Sequence, residues 1–279
     1  MIDYIATVKE DWLFEQEMKQ VIGLIFQVRN TLGAGRSEEI YHRALVKALT
    51  KAEIPTQSKP RRALFHRSVE IHVFEPDIIV WDKIILELKV LLEYKKRAFP
   101  LSNQAQILRY LKFYGFELGA LINFAHSKVG IRRMIFEESS IDFEEKFERM
   151  MPYVNEEDKV ILRQVLTHIK RIARQYGLGY HESLYRKLIA VELTHHGISC
   201  GYDIHVPATY EGEKLGTQAT PFMLVENRFL LHVRALIDGT TAHDFLTMRT
   251  FLAELGLKVG WIINFGRNKV YIQATAVKT

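Results

Sequence analysis

The chain is written twice, and no other feature constrains its fold as tightly. LGAGRSEEIYHRALVKAL, residues 32–49, matches LGYHESLYRKLIAVEL, residues 178–193. Gly35, Glu38 and Tyr41 fall on Gly179, Glu182 and Tyr185, each 144 residues later. FEPDIIVWDKIILELKVL, residues 74–91, lies over ATPFMLVENRFLLHVRAL, residues 219–236, at an offset of 145. LGALINFAHSKVGI, residues 118–131, lies over VGWIINFGRNKVYI, residues 259–272, at an offset of 141. Three blocks in one order, separated by small insertions and deletions, describe a tandem duplication with units of 1–145 and 150–279. The join, EESSIDFEEKFERMMPYVNEED, is acidic and without a strong strand pattern, so it is expected as a helix or loop.

Each unit has the same local grammar. An amphipathic helix opens it, with apolar residues at i, i+3 and i+4, and Gly33 or Gly177 stands where a C-terminal cap is expected. A second helix follows over 37–51 or 182–195, with Ser37 as its N-cap in the first unit. Short strands are expected near 63–65, 69–73, 77–80 and 84–90, with a tight turn at Trp81–Lys83. A helix over 102–114 ends at Gly115, and a strand over 118–124 closes the unit. Hairpins followed by a crossover helix specify an α/β (α+β) architecture, a mixed sheet flanked by helices.

Composition narrows the setting. With 38 Lys+Arg against 33 Asp+Glu, the chain carries +5 and permits, without demanding, a polyanionic partner. The single cysteine, Cys200, excludes a disulfide framework and a CxxC zinc site, is read as inert, and fits a cytoplasmic protein. MIDYIATVKEDW lacks the apolar run of a signal peptide, and the longest apolar runs are far too short to span a bilayer, so no membrane association is expected.

The chemistry concentrates in Pro76-Asp77 and Glu87-Leu88-Lys89. A hairpin turning at Trp81–Lys83 sets Asp77 beside Glu87, and Glu87 and Lys89, at i and i+2 of a strand, face the same way. Charged residues inside a run of Ile, Leu and Val need partners or a metal. Two carboxylates at close range suit Mg²⁺, which takes phosphate oxygens as further ligands, while their mutual repulsion without metal raises the pKa of one of them. The competing interpretation of the same residues is a structural ion-pair network.

This pattern resembles the PD-(D/E)XK nuclease superfamily. Glu38, Asp77, Glu87, Lys89 and Gln106 occur in that family's order, and G-x-x-E-x-x-Y at 35–41 with I-N-F at 122–124 resembles its GxxExxY branch. The resemblance implies two tandem restriction-endonuclease-like αβββαβ units and metal-dependent hydrolysis of nucleic-acid phosphodiesters. It implies Asp77, Glu87 and Glu38 as ligands of Mg²⁺ or Mn²⁺, Lys89 beside the attacking water, and Gln106 in support. The basic residues Arg61, Arg62, Lys95, Lys96 and Arg97 are candidates for backbone phosphate contacts. The second copy departs where it matters: Asp77, Glu87, Lys89 and Gln106 become Phe222, His232, Arg234 and Thr247, and only Glu182 survives. That half is expected to be a non-hydrolytic partner in a pseudo-dimer, with Arg234 still able to hold a phosphate. The alternative function is a non-catalytic nucleic-acid- or protein-binding module that kept the fold; a protein partner or a homo-oligomer is compatible with either. Gly35 and Tyr41 are read as structural. His195, His196, His232 and His243 are read as solvated or packing residues, since nothing at ligand spacing joins them to Cys or carboxylates.

Overall fold

A computed structural model describes residues 13–93, 99–138, 140–202, 204–237 and 239–277. Contacts divide the chain into one unit of residues 1–64 and 73–138 and a second of residues 65–72 and 139–279.

The first unit opens with α1 (Glu15–Leu32) and α2 (Glu38–Lys51). Ser37 holds the N-cap position in extended backbone, but its side chain makes no capping bond. Then come β1 (Thr56–Ser58), β2 (Arg62–His66), β3 (Val69–Phe74), β4 (Ile78–Val80), β5 (Ile84–Lys89), α3 (Leu101–Tyr114), β6 (Leu118–Asn123) and β7 (Gly130–Ile135), with the facing ends of β2 and β3, residues 65–72, belonging to the second unit. The main sheet runs β1-β4-β5-β6-β7, while β2 and β3 form a separate two-stranded ribbon. Only β5 and β6 are parallel, joined by the α3 crossover. Two strands were absent from the sequence expectation: β1, a three-residue polar edge, and β7, which follows the strand expected to close the unit.

Both faces of this sheet are covered, which is why Ile84, Ile85, Leu86 and Leu88, around the charged Glu87, are all apolar. Ile78, Val80, Ile84, Leu86 and Leu88 pack with α1 and α2, whereas Ile79 and Ile85 pack with Ile107 and Leu111 of α3. Side chains alternate across a strand, so Asp77, Glu87 and Lys89 fall on the α3 face. The crossover lies close to the sheet: a Cβ on Gly119 would meet Ile107 at 2.7 Å.

The second unit contains β8 (Asp142–Lys146), α4 (Glu156–Tyr176), α5 (Glu182–His195), β9 (Cys200–Gly201), β10 (His205–Tyr210), β11 (Glu213–Ala219), β12 (Phe222–Val225), β13 (Phe229–Arg234), α6 (Ala242–Glu254), β14 (Val259–Phe265) and β15 (Lys269–Ala276). Its main sheet, β8-β15-β14-β13-β12-β9, repeats the strand order of the first from β9 to β15 and adds β8 at the edge, with β13 and β14 as the parallel pair of the repeat and β10–β11 as the separate ribbon. The extra strand β8 corrects the expectation of a helix or loop at the join; it pairs in parallel with β15. Asp142, Glu144, Glu145 and Lys146 suit an edge strand, where charge discourages further pairing.

The shared sequence blocks are structural ties repeated in both units. Tyr41 Oη donates to Gly33 O at 2.7 Å and its ring stacks on Phe124 at 4.4 Å. Tyr185 Oη donates to Gly177 O at 2.7 Å and stacks on Phe265 at 3.8 Å. Gly35 and Gly179 hold φ of 82° and 100°, a left-handed backbone that favours glycine. Asn123 clamps both backbone groups of Leu91, its Oδ1 accepting and its Nδ2 donating at 3.0 Å each; Asn264 does the same to Leu236 at 2.7 and 2.9 Å. Among the described residues, no helix is long and apolar enough to cross a membrane.

Candidate active site

The β4–β5 hairpin builds the site. Trp81 and Asp82 adopt positive φ, 51° and 54°, and Lys83 N–H donates to Val80 O at 3.2 Å. The resulting register pairs Ile78 with Leu86, which sets Asp77 opposite Glu87. Asp77 Oδ2 accepts the Leu88 N–H at 2.8 Å, so one carboxylate oxygen is pinned to the neighbouring strand. Its main-chain carbonyl is held from behind by Lys59 N–H at 2.8 Å and by Nε2 of His42 at 3.1 Å.

Glu87 is 2% exposed. Lys89 Nζ donates to its Oε1 at 2.7 Å, while its Oε2 is buried without any hydrogen-bond partner. Burial, and then the charge of Asp77, push the Glu87 carboxyl up to about 7 against the pull of Lys89. Burial works against the Lys89 ammonium, but Glu87, Glu38 and Asp77 outweigh it and hold its pKa above the ordinary lysine value. Glu38, the first residue of α2, is half-buried; burial raises its carboxyl, Lys89 lowers it, and Asp77 raises it. The fold thus brings Glu38, Asp77, Glu87 and Lys89 into one electrostatic neighbourhood.

The three carboxylates do not close into one compact triad. Among the described residues, the group of three acidic, His or Cys side chains whose ligand atoms all lie within 4.8 Å of one another is His168, Glu192 and His196. Asp77 and Glu87 face one another across the hairpin, and the Glu87 oxygen Oε2 is left as a buried acceptor without a partner. An all-oxygen donor pair with a spare buried lone pair suits a hard divalent ion.

Gln106 reaches the site through Tyr110. Its Nε2 donates to Tyr110 Oη at 3.1 Å, and Tyr110 Oη donates to Glu75 O at 3.1 Å, bracing the Glu75-Pro76-Asp77 corner. Burial raises the Tyr110 hydroxyl pKa, with Glu87 and Asp77 adding to the effect. Tyr110 stands in the sequence as the last position of the Q-x-x-x-Y pattern that the family resemblance attaches to Gln106, with no role of its own assigned there, and His42 was not singled out. The available signal for His42 was its position four residues after Glu38 on one helix face.

The basic candidates divide. Arg61 pairs with Glu75 at 3.0 Å, and Arg62 lies over Phe113 and Tyr114 of α3 at 5.4 and 5.8 Å. Lys95, Lys96 and Arg97 lie outside the described residues. Arg234, in the second unit, is held by Glu182 at 3.1 Å and Asp244 at 3.2 Å, so a phosphate there would compete with two carboxylates.

In that second unit Phe222 pairs in register with His232, their rings 4.8 Å apart, where the first unit sets Asp77 opposite Glu87. Both ring nitrogens of His232 are buried without partners, and burial, followed by Arg234, lowers its pKa to about 4. Arg186, one residue after Tyr185 as His42 is after Tyr41, donates to Pro221 O at 3.2 Å. His243 is exposed, with a contact to Thr247 at 3.4 Å. His196 corrects the expectation that no carboxylate stands at ligand spacing: it sits one helical turn after Glu192, with His168 adjacent.

A family model described as "PD-(D/E)XK nuclease superfamily" matches residues 15–134 and again residues 159–275. No curated protein matches the chain. A solved structure described as "Crystal structure of SSO0001" is 18% identical, with 44% of this chain and 59% of that chain covered and a TM-score of 0.28.

Proposed function

Because this chain belongs to the PD-(D/E)XK nuclease superfamily, we propose that its first unit hydrolyses phosphodiester bonds of nucleic acid with Mg²⁺ or Mn²⁺ at Asp77 and Glu87. The observation that carries this reading is the buried, partnerless Oε2 of Glu87, opposite Asp77 and two residues from Lys89. A carboxylate that served only to pair with Lys89 would be expected to have both oxygens satisfied.

The bound cation supplies polarisation of a phosphate oxygen and a lowered pKa for the attacking water. The protein's own residues do the rest. Asp77 and Glu87 hold the ion, with Asp77 fixed by Leu88, His42 and Lys59. Lys89, kept protonated by three acidic neighbours, is a hydrogen-bond donor and positive charge rather than a base. It offsets charge developing on the phosphoryl oxygens and orients the water. Glu38 adds negative charge beside Lys89. Gln106 and Tyr110 keep the Asp77 corner in place, and Arg61 and Arg62 offer exposed charge to flanking phosphates. The second unit carries no equivalent donor pair, so it acts in binding and stability.

The test is cleavage of single- and double-stranded DNA and RNA with Mg²⁺ and Mn²⁺, alongside Asp77→Asn and Glu87→Gln. Cleavage confined to the unaltered protein is expected. Persistent cleavage by both purified variants would place the chemistry elsewhere. Absence of a Mg²⁺ or Mn²⁺ site at Asp77/Glu87, with no cleavage of any substrate, would favour the non-catalytic binding module.

A further inference from the structure

Outside the first unit's carboxylates, the chemically densest cluster is on the two opening helices of the second unit. We propose that His168 Nδ1, Glu192 Oε1 and His196 Nε2 form a three-ligand site for a borderline divalent cation of the Zn²⁺ type, with the fourth position open.

Geometry is the first argument. Glu192 and His196 stand at i and i+4, on one side of the α5 C-terminal turn, and His168 approaches from α4. His168 Nδ1 lies 3.3 Å from Glu192 Oε1, and His196 Nε2 also lies 3.3 Å from that oxygen. These contacts are long for N–H···O hydrogen bonds, which centre near ~2.9 Å. They match the edge of a zinc tetrahedron: ligand atoms ~2.05 Å from one ion at tetrahedral angles stand about 3.3 Å apart. All three ligand atoms lie within 4.8 Å of one another.

A positive group already occupies the focus. Arg171 Nη1 donates to Glu192 Oε1 at 3.0 Å and contacts His196 Nε2 at 3.3 Å. A guanidinium has no acceptor, so Nε2 of His196 presents its lone pair inward, and the facing pair of acceptors is bridged by charge. The Arg171 side chain is 46% exposed and has room to leave; the Glu192 carboxylate is fully buried and does not. Arg67 spans the carboxylate, its Nε donating to Oε2 at 3.0 Å and its Nη2 to Oε1 at 3.3 Å, and His66 Nε2 contacts Oε2 at 2.9 Å; these are the outer partners that orient a ligating carboxylate.

The repeat supplies the control. At the same offset of 144 the first unit has Leu24, Ala48 and Ala52 in place of His168, Glu192 and His196. The helix pair thus folds without any of the three, and the buried charge stands in the copy that lacks the Asp77, Glu87 and Lys89 pattern. Two imidazoles and one carboxylate select Zn²⁺, Co²⁺ or Ni²⁺ over Mg²⁺.

The experiment titrates the full chain with Co²⁺ alone, followed by displacement with Zn²⁺. The intense visible absorption of four-coordinate Co²⁺ separates this site from a six-coordinate, oxygen-ligated ion at Asp77/Glu87. One equivalent of such a spectrum is expected, unchanged in Asp77→Asn/Glu87→Gln. His196→Gln, at the partly exposed end of α5, should weaken the affinity by about 100-fold or more, beyond the loss typical of an outer partner. Arg171→Ala removes the charge that bridges Glu192 Oε1 and His196 Nε2 while leaving Arg67 in place, and should tighten binding by about tenfold or more. A purely structural ion-pair network predicts the opposite: no four-coordinate spectrum in the wild type or in Arg171→Ala. That result, or a spectrum untouched by both His168→Gln and His196→Gln with the fold intact by circular dichroism, overturns the proposal.

Discussion

Replacing Glu87 by Gln tests whether that carboxylate is a poised ligand or a structural ion-pair partner, because the two roles give opposite signs. The folded-state pKa of Glu87 is about 7 against an ordinary value of 4.5. A raised carboxyl binds its proton more tightly when folded, so ionising it costs folding energy. The cost is absent below pH 4.5, grows between 4.5 and 7, and is complete above 7. Some 2.5 pH units at ~1.36 kcal/mol each give about 3 kcal/mol, as an order of magnitude. The pull of Lys89 is already contained in that pKa, and neutral Gln stands in for protonated Glu with the same shape. Glu87→Gln should therefore stabilise the metal-free first unit by up to about 3 kcal/mol at pH 8 and leave it nearly unchanged at pH 4.5. Hydrogen exchange over residues 78–89, read with EDTA at both pH values, isolates this unit from the second. Adding Mg²⁺ should then protect the wild type and not the variant, since a ligand that binds only the folded state stabilises it. Destabilisation by Glu87→Gln at pH 8 would refute the reasoning and make Glu87–Lys89 a structural pair.

Three further outcomes follow from the same geometry. Cleavage and Mg²⁺ affinity should rise as pH passes through about 7, because the ligating form of Glu87 is the deprotonated one; a pH-rate profile flat between 6 and 8 would contradict this. Tyr41→Phe removes the Oη–Gly33 bond while keeping the stack on Phe124, so it should cost about 1 kcal/mol in urea unfolding and leave the pH-rate profile in place. Arg234→Ala strips Glu182 and Asp244 of their shared cation, so thermal melting should show a destabilised second unit, with the cleavage rate per folded molecule preserved.

Much of the fold was legible because the repeated residues are the ones that tie elements together. Tyr41 and Tyr185, Asn123 and Asn264, Gly35 and Gly179 stand in register in the sequence and make matching bonds in the two units. The Asp77–Glu87–Lys89 grouping was legible for a different reason: strand parity plus one tight turn fixes which side chains meet. What escaped were features that depend on distant partners. β8 has no apolar period of its own and becomes a strand only by pairing with β15. His42 and the bond from Tyr110 to Glu75 O act on main-chain carbonyls, and side chain–backbone bonds of that range leave no periodic trace, although Tyr110 itself stood in the Gln106–Tyr110 spacing. The His168 contribution to the Glu192 cluster comes from another helix, so only two of its three residues, the i, i+4 pair Glu192 and His196, were present as spacing.

The two halves separate what holds the frame from what does the chemistry. In both, the residue after the conserved tyrosine braces the corner before the first hairpin strand: His42 on the carbonyl of Asp77, Arg186 on that of Pro221. In both, a cation at the end of the next strand meets the glutamate that begins the second helix: Lys89 lies in the field of Glu38, and Arg234 bonds Glu182 directly. The difference is what faces the cation across the hairpin. Asp77 and Glu87 leave the first unit with excess negative charge and an unsatisfied oxygen, whereas Phe222 and His232 leave the second with an apolar ring and a neutral imidazole. Without the carboxylates, the second unit's arginine turns to Glu182 and to Asp244 on α6, and the position closes electrostatically. Where an acidic pair stands and the cation is the smaller lysine, bonded to one Glu87 oxygen, the other oxygen is left without a partner. The same backbone frame therefore supports an acidic group with an unsatisfied oxygen in one copy and a charge-balanced brace in the other.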